Sequence, residues 1–193
     1  VQRVAYKNIH KHDLVLVSAL KKGIVPFTLL IDAIEQLSKR VLDVRLLIIG
    51  GGSEEKTLRD YVSRKKLDYC VKFYGALPHE DMFSVLIKSA IGIAIYEKTD
   101  KKHFRYFSDS MRTRDYLASG LPIFFSGSSG IGSEILERDA GRIVKLEKKA
   151  IVSALEEVLA NPETYQKLRM NALGLAKEYD TYALLTKYFE KEE

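Results

Sequence analysis

The sequence predicts an α/β domain with a doubly wound parallel sheet of six strands. Three observations carry this expectation: six short apolar runs rich in β-branched residues, a segment of helical period in nearly every gap between them, and nearly continuous hydrophobicity within each run. A strand covered by helices on both faces needs apolar side chains in both directions, so a run that does not alternate reads as part of a buried parallel sheet. In such sheets ligands bind outside the carboxyl ends of the strands, near the point where the strand order reverses.

The strand runs are residues 14–19, 44–50, 70–74, 91–96, 122–126 and 142–146. The first helix spans 25–40, with Leu29, Leu30, Ala33, Ile34 and Leu37 at the spacing of one helical face. Crossover helices follow over 54–65, 80–90, 111–119 and 132–138. Beyond the sixth strand the pattern changes to three successive helices, 150–160, 162–178 and 181–192, with no strand between them. Asn161 before Pro162 is a start signal, an amide side chain at the N-cap and a proline at the first helical position.

Composition agrees with one domain of generous size. The chain has 193 residues, 46% apolar and 30% charged, with four prolines, and a mean hydropathy of −0.13. No apolar stretch approaches the ~20 residues that span a bilayer. The single cysteine, Cys70, has no partner for an intramolecular disulfide, fits a reducing compartment such as the cytoplasm, and reads as a core residue. Thirty-one basic against 26 acidic residues give +5, which favours anionic ligands or surfaces. The chain begins at Val1 and its opening dozen residues show no period, so a processed chain or a fragment is expected: 1–12 a linker or remnant, 13–178 the domain, 179–193 a C-terminal helix.

The loops after the strands are the candidate site. Lys21 and Lys22 follow the first strand, where ammonium groups suit a phosphate; a solvated turn is the simpler reading of the pair alone. Gly50, Gly51 and Gly52 follow the second strand, with Ser53 able to cap the next helix; three glycines permit close approach of a ligand. Because Glu54 and Glu55 would repel a phosphate there, Gly51 and Gly52 are read as shaping a pocket. The fourth loop, 97–109, runs into Ser108, Asp109, Ser110, Met111 and Arg112 at a helix start, where free N–H groups beside an arginine suit an anion; an ordinary capped helix is the alternative reading. Gly120-Leu121-Pro122 ends that helix, and 127–132 is a second glycine- and serine-rich turn.

Other chemistries lack their residues. His10, His12, His79 and His103 show no metal-ligand spacing, no two aspartates stand two apart, and neither a G-x-S-x-G elbow nor a P-loop occurs, so no metal is expected. Lys65-Lys66 and Lys101-Lys102 lack interleaved aromatics, and no nucleic-acid partner is expected.

Taken in order, the motifs resemble the C-terminal, donor-binding domain of GT-B glycosyltransferases of the retaining family 4, glycosyltransferases group 1. The resemblance rests on Lys22-Gly23, on the strand and loop from Leu46 to Gly52, on Val71-Lys72-Phe73-Tyr74-Gly75, on the run from Asp115 to Pro122, and on the turn from Gly130 to Ile135. It implies a nucleotide-sugar donor, UDP- or GDP-linked, and no cofactor. Lys22, with Lys21, would neutralise the distal phosphate; Ser110, Met111 and Arg112 would complete the diphosphate site; Lys22 and Arg112 would be the catalytic cations. Asp115 would bind the ribose, Tyr74, Gly75 and Leu77 the base, and Asp109 the donor sugar. The acceptor would bind an N-terminal domain absent from these residues. The helix 181–192 would cross to that domain and leave Tyr182, Leu185, Tyr188 and Phe189 partly exposed, and peripheral contact with an anionic membrane is allowed.

Three departures from the family pattern leave two readings open. Ala19 stands where an arginine is usual, Phe107 where many members have a glutamate, and Asp115 is one methylene shorter than the usual glutamate. Arg112 falls at the lysine of a variant "S-x-P-x-K-L-x-E-Y" pattern, which implies retained transfer; the alternative is a non-catalytic GT-B-like binding or regulatory domain. A nucleotide-sugar epimerase on the same architecture is a weaker third expectation.

Overall fold

The computed structural model describes residues 10–97, 111–127 and 130–179. Six parallel strands alternate with helices in chain order: β1 Asp13–Val17, α1 Phe27–Ser38, β2 Arg45–Ile49, α2 Glu55–Arg64, β3 Val71–Gly75, α3 His79–Leu86, β4 Ile91–Ala94, α4 Met111–Ala118, β5 Ile123–Phe125, α5 Gly130–Glu137, β6 Gly141–Ile143, α6 Lys148–Ala160 and α7 Pro162–Glu178. The sheet order is β3-β2-β1-β4-β5-β6, so the order reverses between β1 and β4. This is the doubly wound arrangement that the alternation predicts.

The two faces of the sheet bury separate cores. Leu14, Leu16, Leu46, Ile48 and Ile93 face α1, α2 and α6, whereas Val15, Leu47, Ile49 and Ala94 face α3, α4, α5 and α7. Strands β1, β2 and β4 are buried on both sides, as their unbroken apolar runs require. The third strand departs from that expectation. Lys72 and Tyr74 are exposed, because β3 is an edge strand whose outer face is only partly covered. Asp13 is buried and is held bidentately by Arg45, at 2.6 and 2.7 Å, which ties the starts of β1 and β2.

Several boundaries differ by a few residues. The first helix begins at Phe27 because Pro26 occupies its N-cap. The third begins earlier, at His79, and the fifth at Gly130. Ser53 does not stand at the N-cap of α2; Glu54 does, without a side-chain cap. The Asn161 start signal is realised, since its side chain accepts from Thr164 N at 3.0 Å and Pro162 opens α7. Helix α4 ends in a Schellman motif: Leu121 N donates to Tyr116 O at 2.9 Å, Gly120 N donates to Leu117 O at 2.9 Å, and Gly120 has φ +70°. The helix expected over 181–192, with Tyr182, Leu185, Tyr188 and Phe189, lies outside the described residues. Among the described residues no helix is long and apolar enough to cross a membrane.

Candidate functional site

The crevice at the carboxyl ends of β1 and β4 is built by the way the two strands part. They pair at Leu14 with Ile91 and Val15 with Gly92, and no further. Ser18 N donates to Ile49 O on the β2 side, so the alternate residue Val17 turns its N–H and C=O toward β4, where the ladder has ended. Both groups need partners. Helix α4 supplies them: Val17 N donates to the Tyr116 hydroxyl at 2.8 Å, and Arg112 Nη1 donates to Val17 O at 2.9 Å. Tyr116 Oη in turn donates to Ile93 O of β4 at 3.3 Å. Burial pushes the Tyr116 phenol far up from its ordinary value, so it remains a protonated hydroxyl. On the other side of β4, Ser126 Oγ continues the ladder toward β5, accepting from Tyr96 N at 2.9 Å and donating to Tyr96 O at 3.0 Å.

Arg112 is thereby held over the end of β1, with one N–H directed to backbone. Asp115 follows within one turn of α4. Its carboxylate is half-buried and lies 3.5 Å from Nε2 of His79, the first residue of α3, whose ring stacks on Phe83. The contact brings the loop after β3 to the same crevice. In that loop Tyr74 is the extra residue of a bulge, since Ile48 pairs with Phe73 and Ile49 with Gly75. Gly75 has φ +72° and its carbonyl accepts from Gly50 N at 2.7 Å. Tyr74 is 46% exposed, and Leu77 packs against the α3 and α4 side of the core.

Lys21 and Lys22 lie on the turn directly after β1 and are exposed; among the described residues neither is in an ion pair. Gly23 (φ +77°) follows, and Glu97, just beyond β4, closes the turn through its N–H to Ile24 O at 3.1 Å. Two exposed ammonium groups, a fixed guanidinium and a half-buried carboxylate thus stand on neighbouring elements around the switch point. Such a set suits an anion bearing a vicinal diol.

The glycine loop has a different occupant from the one its sequence suggests. A Cβ at Gly50 would lie 1.9 Å from Ser18 O, and one at Gly52 would lie 2.3 Å from Leu20 O. Leu20 N donates to Gly51 O at 3.0 Å, and Glu54 N to Leu20 O at 2.9 Å. The glycines admit the chain's own first loop, and so set the base on which Lys21 and Lys22 stand. Gly51 has ordinary room, with only Glu55 Oε2 at 3.5 Å.

Met111 opens α4 and is 81% exposed. Asp109 and Ser110, with Ser108, Phe107 and most of the 97–109 loop, lie outside the described residues. Sequence reasoning missed Tyr116, His79 and Ser126. Only Tyr116 carried a signal, its place one helical turn after Arg112. A separate cleft of about 650 Å³ lies at the opposite ends of the strands, lined by His10, His12, Arg45 and Tyr69 among others, and contains none of the expected site residues. Among the described residues no three His, Cys, Asp or Glu side chains form a metal-binding cluster.

With this geometry in place, comparison with known proteins is informative. The profile of the family described as "Glycosyl transferases group 1" matches residues 11–174. No match was found among curated protein sequences. Among solved structures, the pneumococcal O-GlcNAc transferase GtfA in complex with UDP and GlcNAc aligns with a TM-score of 0.75 at 15% identity, over 96% of this chain and 36% of that one. The Anabaena protein HepE in complex with UDP and glucose aligns with a TM-score of 0.73 at 17% identity, over 95% of this chain and 48% of that one. The C-terminal domain of a group 1 glycosyl transferase, LpcC, from Francisella tularensis aligns with a TM-score of 0.71 at 17% identity, over 89% of this chain and 87% of that domain. The chain spans less than half the length of GtfA and HepE. It belongs to the group 1 glycosyltransferase family, and its fold is that of a GT-B glycosyltransferase domain.

Proposed function

We propose that this member of the group 1 family is the donor-binding domain of a retaining, metal-independent glycosyltransferase, moving a sugar from a UDP- or GDP-linked donor to a glycan or lipid-linked acceptor. The observation that carries the reading is the convergence of Arg112, Asp115 and the Lys21-Lys22 turn on the β1/β4 switch point. As the glycosidic bond breaks, negative charge grows on the leaving diphosphate. Arg112, held by Val17, and the exposed Lys22 are the cations that would stabilise it in the transition state. Lys21 and the amides of Ser110 and Met111 complete the diphosphate site, and Asp109 meets the donor sugar. Asp115 accepts from the ribose hydroxyls, and the backbone from Tyr74 through Gly75 to Leu77 receives the base. GtfA and HepE, each solved with UDP, support a nucleotide ligand of this kind.

The high coverage of an isolated C-terminal domain supports the further reading that an acceptor domain completes the enzyme and that residues 179–193 contact it. A cytoplasmic protein that touches an anionic membrane peripherally, where lipid-linked acceptors sit, fits the +5 charge. Calorimetric titration with UDP, GDP and ADP tests the donor site. Binding of one of them below millimolar concentration is expected, and no binding by the protein with its acceptor domain present overturns the reading. A second reading, a binding domain with a degenerate donor site, is favoured by Ala19 at the end of β1, where the resemblance calls for an arginine. Lys22→Ala and Asp115→Ala separate the two: transfer falls steeply on the first reading and is unchanged on the second.

A further inference from the structure

The hydrogen bonds at Val17 assign a role to a residue that faces no ligand. Tyr116 is 1% exposed, and its ring lies against Gly92, where a Cβ would stand 2.7 Å from two ring carbons. Its hydroxyl takes the place of the rung missing between the parted strands, accepting from β1 and donating to β4. One turn earlier on the same helix, Arg112 takes the other polar group of Val17. Two contacts from one face of α4 to one residue fix the azimuth of the helix as well as its distance from the sheet. Asp115, the neighbour of Tyr116, turns with it.

We propose that Tyr116 is a positioning residue of the donor site, its hydroxyl holding α4 so that Arg112 and Asp115 face the Lys21-Lys22 turn at the spacing a nucleoside diphosphate requires. The proposal rests on the nucleotide-binding reading given above. A tyrosine that merely filled the core would need its ring alone. Here the hydroxyl satisfies a donor and an acceptor that have lost their strand partners, and those groups border the crevice.

The test is Tyr116→Phe in the full chain, which keeps the ring and removes only the bridge. Two readouts are used. Amide exchange of Val17 reports the bridge without any nucleotide: its protection is expected to fall about tenfold or more, while that of Leu30 in α1 stays as in the wild type. Titration with UDP and GDP reports the site. Affinity for whichever one the wild type binds is expected to fall about tenfold, and Arg112→Ala is expected to cost clearly less in the Tyr116→Phe background than in the wild type, because an α4 that has lost one of its two contacts with Val17 no longer places the guanidinium. Ile135→Val, a buried change on α5, is the control for simple loss of stability and leaves affinity unchanged.

Unchanged affinity in Tyr116→Phe, or additive effects with Arg112→Ala, overturns the proposal. Unchanged Val17 protection overturns it as well. Should the phenylalanine chain not fold, the wild type still decides: saturating UDP or GDP is expected to slow Val17 exchange further, and no change refutes the coupling. If the wild type binds neither nucleotide, the donor reading falls, and Val17 exchange in Tyr116→Phe alone judges the bridge.

Discussion

Gly92→Ala places one methyl group where the structure has the Tyr116 ring. The new Cβ would meet Tyr116 Cδ2 and Cγ at 2.7 Å, closer than real Cβ contacts allow, and Cβ at 3.1 Å, which is tight. Neither side can yield easily. Gly92 sits in β4 between Val15 and Ile123, hydrogen-bonded to Pro122 O at 3.0 Å, and Tyr116 is held by its hydroxyl at Val17 and Ile93. Overpacking of this kind costs ~1–3 kcal/mol. Removing a glycine from a strand returns ~0.5–1 kcal/mol through the unfolded chain, so the net expectation is a loss of ~1–2 kcal/mol. For a domain of this size that is a fall in Tm of roughly 2–8 °C. Urea unfolding of four chains forms the assay: wild type, Gly92→Ala, Tyr116→Ala and the double variant. With the ring gone, only the contact at 3.1 Å remains, and Gly92→Ala should then be neutral or stabilising, giving a coupling of ~1 kcal/mol or more. Equal cost of Gly92→Ala in both backgrounds would show that the ring is not what the glycine accommodates.

The remaining predictions concern stability and access. Arg169 of α7 is 7% exposed and donates from Nη1 to Gly120 O at 2.9 Å, meeting the carbonyl end of α4; Arg169→Met strands that acceptor and should lower stability by ~1–3 kcal/mol in urea, with a loss under 0.5 kcal/mol counting against the contact. Lys65 Nζ lies 2.6 Å from Asp32 and 2.5 Å from Glu35, joining α1 to α2. Burial of Asp32 opposes its ionisation, but hydrogen bonds from Lys65 and Tyr61 outweigh it and hold the carboxyl below its ordinary value; Glu35 is held low chiefly by Lys65. Depressed carboxyls stabilise the fold above their unfolded pKa values and lose that contribution as pH falls through the folded ones, so the stability gap between wild type and Lys65→Met should be constant near neutrality and shrink as pH falls below the ordinary carboxylate range; a gap that does not change with acid refutes the linkage. Cys70 is 1% exposed and burial pushes its thiol up, so Ellman's reagent should modify it at the rate of unfolding, and rapid modification of the folded chain would contradict its place in the core.

The sheet was legible because parallel strands advertise themselves: β1, β2 and β4 each bury four residues in succession, as a strand covered on both faces does. Edge strands are less explicit. Phe73 faces the core while Lys72 and Tyr74 do not, and only the strand order, a long-range property, says that β3 has a face in water. The glycine loop shows the same division. Three adjacent glycines state that something comes close, but that it is Ser18 and Leu20, thirty residues earlier, depends on the pairing of β1 with β2. The spacing of Tyr116 from Arg112 sets the two on one face of α4, but the role of its hydroxyl was illegible for a stricter reason. An aromatic residue beside Leu117 on a short helix reads as core, and so it is; the use of its hydroxyl depends on where β1 and β4 stop pairing, which no local pattern records.

That Arg112 and Asp115 meet the end of β1 and the loop after β3 at one crevice follows from how α4 is held. Its first turn is tied to β1 through Arg112 and its middle through Tyr116, while its end is closed by the Schellman turn at Gly120 and met there by Arg169. Gly120 could not be exchanged freely, because a Cβ there would lie 3.0 Å from Leu173 and 3.2 Å from the Arg169 guanidinium carbon. A helix fixed at both ends moves as a body. Displacement at either end therefore shifts Arg112 and Asp115 together, the residues proposed above for the phosphate and the ribose of a nucleoside diphosphate. The loop after β3 is held separately, by Gly75 O to Gly50 N and by His79 against Asp115. On the proposed donor reading, strength of binding and choice of base rest on different elements: changes along α4 are expected to lower affinity for UDP and GDP by one factor, whereas changes between Tyr74 and Leu77 are expected to alter their ratio.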